Sequence, residues 1–241
     1  MNRLITVVIA LLALVLVPSG RLLAQESTPE APADEVVQFA EDTYAFVSGG
    51  YVSLFIVTDE GVIATDPSSQ FDPVRAERYK AAIAGVTDQP VRYLVYSHDH
   101  SDHATGGAVF ADTATFISHS NAVAKIEALG DPNTPVPSIA FDSALSLTLG
   151  GTTVDLIYTG RNHSDNSIVL FHPAQRLLFA VDFIPVDSLP FQNLPDFYVD
   201  EWIASLNWTH TESFALESPA ARRRSHKRYS TPAGASNVIS T

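Results

Sequence analysis

The six residues His98-Asp99-His100-Ser101-Asp102-His103 bring three imidazoles and two carboxylates together, directly after the apolar run Val91 to Tyr96. Zinc takes nitrogen and carboxylate-oxygen donors in compact four-coordinate shells, and this segment is rich in both. A purely structural loop seldom carries so many groups that are costly to bury. His98 and His100 stand two apart, so an extended backbone presents both rings on one side. After a turn, Asp102 and His103 address a second position nearby. One metal is thus expected at His98 and His100 and another at Asp102 and His103, and neither pair completes a four-coordinate shell.

The best outside ligand for the first pair is His163, in the polar loop Thr159-Gly160-Arg161-Asn162-His163-Ser164-Asp165-Asn166 between two strands. A lone loop histidine is ordinarily plain surface; the lack of an equally well-placed partner for His98 and His100 favours ligation. Asp182 ends the apolar run Leu177 to Val181, where a carboxylate can approach both ions. The bland alternative for it is a helix cap or a strand-end turn. Asp99 is either a partner of a ligand or a solvated loop residue.

The elements that must position these groups follow from periodicity. Thr43 to Val47 and Tyr51 to Thr58 are β-branched and aromatic and flank Ser48-Gly49-Gly50, a hairpin signal; Val62 to Thr65 follows the turn Asp59-Glu60-Gly61. Pro73 to Ala84 has helical spacing, with Asp72 as cap and Val74, Tyr79 and Ile83 facing inward. Val91 to Tyr96 is a buried strand that delivers the histidine cluster from its carboxyl end. Ala114 to Ser118 is a strand, and Asn121 to Leu129 a helix ended by Gly130. A loop to Pro137 precedes the hairpin Leu145 to Leu149 and Thr153 to Tyr158. Ser167 to Phe171 and Leu177 to Val181 are strands, and Phe197 to Leu206 is the last convincing helix. Pro185 to Pro195 is a candidate substrate wall. This pattern predicts an α/β fold of mixed sheet with outer helices.

From about Thr43 through Leu206 the chain resembles the metallo-beta-lactamase-fold hydrolase superfamily. His98, His100, Asp102 and His103 match its signature, with Asp99 and Ser101 at the variable positions. The resemblance implies a four-layer αββα sandwich with the site at the edge between two sheets. It implies one zinc at His98, His100 and His163, another at Asp102 and His103, and Asp182 bridging the two. It further implies a hydrolase in which a metal-activated water, oriented by Asp102, attacks a small ester, thioester, lactone or beta-lactam. Class B1 and B2 members carry a cysteine where this chain has Asp182, which is similar instead to the glyoxalase II-like and broader hydrolase branches. His163-Ser164-Asp165-Asn166 resembles the B1 loop.

Past Leu206 the resemblance ends. Asn207 to Thr241 lacks the apolar strand and glycine-flanked histidine that supply the family's last second-zinc ligand, and carries Arg222-Arg223-Arg224-Ser225-His226-Lys227-Arg228. Residues 207–241 are read as an atypical, disordered tail or an altered reading frame, with His210 or His226 as poor substitutes for the absent ligand. The alternative to an active hydrolase is therefore a catalytically impaired or vestigial metal-binding domain.

The 241 residues suit one sizeable domain, and a net charge of -13 argues against nucleic acid as a partner. A small molecule is the expected partner. Arg3, the apolar run Leu4 to Val17 and the break at Pro18-Ser19-Gly20 read as a secretory signal ending near Ala24, followed by a flexible leader over residues 25–35. Periplasmic or secreted location follows, with no stable membrane span after cleavage. Without cysteine there are neither disulfides nor thiolate ligands.

Overall fold

The computed structural model describes residues 33–184, 196–215, 227–228 and 236–240. The expected signal, most of the leader and the whole candidate wall Pro185 to Pro195 lie outside the described residues.

Strands β1 (Glu35–Gln38), β2 (Thr43–Ser48), β3 (Tyr51–Thr58) and β4 (Gly61–Thr65) form an antiparallel meander. Gly49 and Gly50 close the β2–β3 turn with φ of 60° and 90°, the left-handed pair that a two-residue hairpin turn demands. Helix α1 (Arg75–Ala84) leads into β5 (Val91–Val95), which lies parallel to β4. A single helical turn α2 (Ser101–Ala104) and a 3-10 turn (Gly107–Phe110) precede β6 (Thr115–His119), α3 (Ser120–Leu129) and β7 (Ile139–Phe141). These seven strands make one sheet in sequence order. Strands β8 (Ala144–Leu149), β9 (Thr152–Tyr158), β10 (Ile168–His172) and β11 (Leu177–Val181) belong to a second, antiparallel sheet. Helix α4 spans Val199–Ala215.

Three apolar clusters define the layers. Ala45, Leu54, Ile56, Val95 and Ile117 of the first sheet meet Val154, Leu156, Leu170 and Phe179 of the second between the sheets. Phe46, Phe55, Leu94 and Phe116 pack outward against Tyr79 and Ile83 of α1 and Ile126 of α3. Val169, Leu178 and Ala180 pack outward against Trp202 and Leu206 of α4. Helices thus cover the outer face of each sheet: the αββα sandwich. Among the described residues no helix is long and apolar enough to cross a membrane.

Several expectations need correction. Helix α1 starts two residues after Pro73; the Asp72 carboxylate accepts from the Val74 N–H at 3.4 Å through Oδ1 and is held by Arg78 through Oδ2 (Nη2–Oδ2 2.7 Å). Val74 is accordingly 56 % exposed, not inward. The leader does not stay free to residue 35: Glu35 already pairs with Val47, and Asp34 meets Arg78 at 2.6 Å. The last helix runs on to Ala215. The segment 207–241 is not wholly a tail, since β12 (Lys227–Arg228) and β13 (Ser236–Ser240) join the second sheet and β13 lies antiparallel to β11. Backbone pairing needs no strongly apolar side chains when the partner strand supplies the buried face, so the polar run Ser236-Asn237-Val238-Ile239-Ser240 gave only a weak signal.

Arg75, at the start of α1, is 1 % exposed. Its guanidinium donates to the carbonyls of Pro67 (2.8 Å), Tyr51 (3.3 Å) and Ser48 (3.4 Å) and to Ser53 Oγ (2.9 Å), and it lies 5.1 Å from the Phe46 ring centroid. Burial pushes it down to about 10, so it remains charged at neutral pH. Replacing Arg75→Met strands these acceptors in the interior. We expect a loss of about 2–4 kcal/mol in urea denaturation; a loss below about 1 kcal/mol would show that water satisfies the carbonyls instead.

Candidate metal centre

Every sequence-predicted site residue arrives at one end of the sandwich, carried there by strand ends. Strand β5 ends at Val95, and Ser97-His98 follow. The turn α2 then carries Asp102 and His103. The loop between β9 and β10 brings His163, and Asp182 follows the last residue of β11. His98, His100, His163 and Asp182 each offer a donor atom within 4.8 Å of the others, and Asp102, His103 and Asp182 form a second such group. Asp182 is common to both. Its Oδ2 lies 3.2 Å from His163 Nε2, 3.2 Å from His103 Nε2 and 3.5 Å from His98 Nε2. His163 Nε2 also stands 2.9 Å from His100 Nδ1.

On His98, His100 and His103 the remaining ring nitrogen is occupied, which orients the other one inward. His98 Nδ1 lies 3.0 Å from Ser97 Oγ, His100 Nε2 lies 3.1 Å from Asp196 Oδ2, and His103 Nδ1 lies 3.2 Å from Asp66 Oδ2. Such outer partners fix ring orientation and ligand basicity. Asp66 is itself fully buried, and its Oδ1 accepts from the Ser97 backbone N–H at 2.8 Å. The backbone is strained here: Asp66, Ser68 and Asp182 have φ of 33°, 53° and 50°, conformations that cost energy and concentrate at functional sites.

The donor set fits a cation. His98 Nε2, His103 Nε2 and Asp182 Oδ1 are buried without a hydrogen-bond partner among the described residues. Such atoms are expensive to leave unsatisfied, and all three belong to the converging groups. The charges at the site are strongly coupled, and a metal would have to displace the proton that His103 retains. Burial pushes the Asp182 carboxyl up, but His103 and the neighbouring imidazoles outweigh it and hold the group below the usual carboxylate range. Burial likewise opposes a charge on His103, yet Asp182 and Asp66 keep it well above the usual histidine range. His98 is pushed well below that range by burial and then by the adjacent imidazoles. His163 is lowered by burial against the pull of Asp182.

Asp99 turns inward to fasten two loops, not outward to solvent. Its backbone N–H donates to Asn166 Oδ1 (3.0 Å), and Asn166 Nδ2 donates back to its carboxylate (2.6 Å). Lys125 of α3 joins Asp165 at 2.8 Å and Asp99 and Asp196 at 3.6 Å. Sequence reasoning missed Asp66, Asp196, Lys125 and Asn166. Asp66 carried a usable signal, because it ends β4 as Asp182 ends β11; Asp196 and Lys125 carried none. Phe183, next to Asp182, is fully buried core. The side chains of His210 and His226 lie outside those described.

Comparison with known proteins agrees with this fold. A 2,4-dinitroanisole O-demethylase subunit alpha from Nocardioides sp. (strain JS1661) is 31 % identical over 66 % of this chain; the chain spans about half (49 %) of that subunit's length. A metallo-beta-lactamase type 2 from Bacteroides fragilis is 23 % identical over 77 % of each chain. Among solved structures, a metallo-beta-lactamase from Pontibacter korlensis superposes with a TM-score of 0.64 at 19 % identity, covering 76 % of this chain and 88 % of that one. The DIM-1 metallo-beta-lactamase gives 0.66 at 15 % identity, covering 78 % and 87 %. The profile of the metallo-beta-lactamase superfamily matches residues 48–210, more than half of the sequence, and the chain belongs to that superfamily.

Proposed function

We propose that this chain is an exported zinc-dependent hydrolase of the glyoxalase II-like side of its superfamily, acting on a small ester, thioester, lactone or beta-lactam. The observation that carries the reading is the convergence of donors from two separate segments, 98–103 and the β9–β10 loop, on Asp182 Oδ2. His98, His100 and His163 would hold one zinc, Asp102 and His103 the other, and Asp182 both. When bound, zinc supplies a Lewis acid for the substrate oxygen and makes water nucleophilic near neutral pH. The protein's part is to hold those donors still and to place the Asp102 carboxylate where it orients the attacking water. An aspartate at 182, in a chain without cysteine, supports the hydrolase branch over the B1 and B2 lactamases. The charged start and apolar run before Ala24 support export.

The test is metal analysis of the purified chain with turnover on a chromogenic ester, a thioester, a lactone, a cephalosporin and an aryl methyl ether. The ether belongs in the panel because of the Nocardioides demethylase's name. At least one zinc per chain and turnover of one of the first four are expected. A metal-free, inactive preparation under zinc-replete conditions would sink the proposal, and turnover of the ether alone would redirect it.

A further inference from the structure

The tip of the β2–β3 hairpin reaches the metal centre through one side chain that the proposed chemistry does not yet use. Tyr51 opens β3 directly after the Gly49-Gly50 turn. Its hydroxyl donates to Asp102 Oδ2 at 3.2 Å, and that same oxygen lies 3.9 Å from His103 Nε2. Its ring stands edge-on to the His103 imidazole, with centroids 5.6 Å apart and planes at 74°. Tyr51 therefore touches both residues assigned to the second ion by side-chain contacts independent of the ion itself.

The tip is anchored from below. Arg75 grips the carbonyls on both sides of the turn, Ser48 O and Tyr51 O, and its guanidinium carbon lies 5.9 Å from the Tyr51 ring centroid. A two-residue turn without such an anchor frays readily, because few packed atoms hold it. Here a buried cation ties the turn to Pro67 O, one residue past Asp66. Asp66 in turn holds His103 Nδ1. The second-ion pair is thus braced from two sides, by Asp66 behind His103 and by Tyr51 beside Asp102.

We propose that Tyr51, anchored by Arg75, is a positioning residue that sets the Asp102 carboxylate for the second ion. The inference rests on the metal-centre reading above and adds to it the part that compensates for a sparse ligand set. Asp102 is 30 % exposed, whereas His103 is fully buried, so Asp102 is the member of the pair that a hydrogen bond must steady. A partner that orients a ligating carboxylate typically changes metal affinity about 10- to 100-fold.

The experiment compares the full chain with Tyr51→Phe by zinc titration against a chromophoric chelator, resolving two dissociation constants, and by visible absorption of the cobalt(II) forms. Phenylalanine keeps the ring against His103 and removes only the hydroxyl. We expect the first dissociation constant within about twofold of wild type and the second weakened about tenfold or more, with the cobalt bands changed only at the second equivalent. An unchanged second constant overturns the proposal, as does an equal loss at both sites or a wild type that holds a single ion. A tyrosinate charge-transfer band in the iron(III) protein, absent from Tyr51→Phe, would also overturn it by making Tyr51 a ligand. A wild type that binds no zinc fails the metal-centre reading itself, which separates that failure from this one.

Discussion

Removal of zinc with a strong chelator is expected to abolish hydrolysis and to lower the melting temperature by about 10 °C. Three buried donor atoms, His98 Nε2, His103 Nε2 and Asp182 Oδ1, have no hydrogen-bond partner among the described residues. A cation that binds them in the folded state and not in the unfolded chain stabilises by about 4 kcal/mol when its free concentration is a thousand times the dissociation constant. For a domain of this size each kcal/mol moves the midpoint by about 2–4 °C. Differential scanning calorimetry at fixed protein concentration, before and after chelation and again after zinc is restored, measures the shift. A midpoint that ignores both steps would mean that these atoms are satisfied by water and that no tight metal site exists.

His163→Ala is expected to lower kcat/KM on the order of 10³-fold, through loss of several kcal/mol of metal-dependent transition-state stabilisation. His163 is the one histidine of the first group supplied from the second sheet, through the β9–β10 loop, and its Nε2 lies 2.9 Å from His100 Nδ1 and 3.2 Å from Asp182 Oδ2. Its removal leaves His98 and His100 without the third nitrogen. Steady-state kinetics alongside zinc content and far-ultraviolet circular dichroism separates lost ligation from lost fold. A folded variant within tenfold of wild type would remove His163 from the ligand set.

The two expectations differ in what they depend on. Chelation probes the whole donor constellation, whereas His163→Ala probes the contact between two segments far apart in sequence. The acidic surroundings bear on both. Asp66, Asp102, Asp182 and Asp196 all lie at the site, and Lys125 is engaged with Asp99, Asp165 and Asp196. A dication relieves the repulsion among those carboxylates, so its loss costs more than the bonds alone.

Most of the first coordination group was readable because short-range geometry constrains it. His98 and His100 follow a strand that the apolar run Val91 to Tyr96 announces, and the turn carrying Asp102 and His103 is local. The hairpins were equally plain, since the Gly-Gly pairs at 49–50 and 150–151 adopt the left-handed conformations that few other residues reach. The start of α1 shifts by two residues, and the Asp72 carboxylate divides itself between the Val74 N–H and Arg78, six residues on. The final strand β13 was missed because its identity lies in its pairing with β11 and not in its own composition.

The sequence by itself determined the donor types, the spacing within the 98–103 segment and the alternation of strands and helices, since each rests on interactions a few residues long. Only the tertiary structure decided that Asp66 and Asp196 stand behind His103 and His100, that Asn166 clasps Asp99, and that Tyr51 reaches Asp102. Those contacts join residues 37 to 96 positions apart. Periodicity reports which face a residue takes on its own element. Which element then closes over that face is set by packing of the whole core.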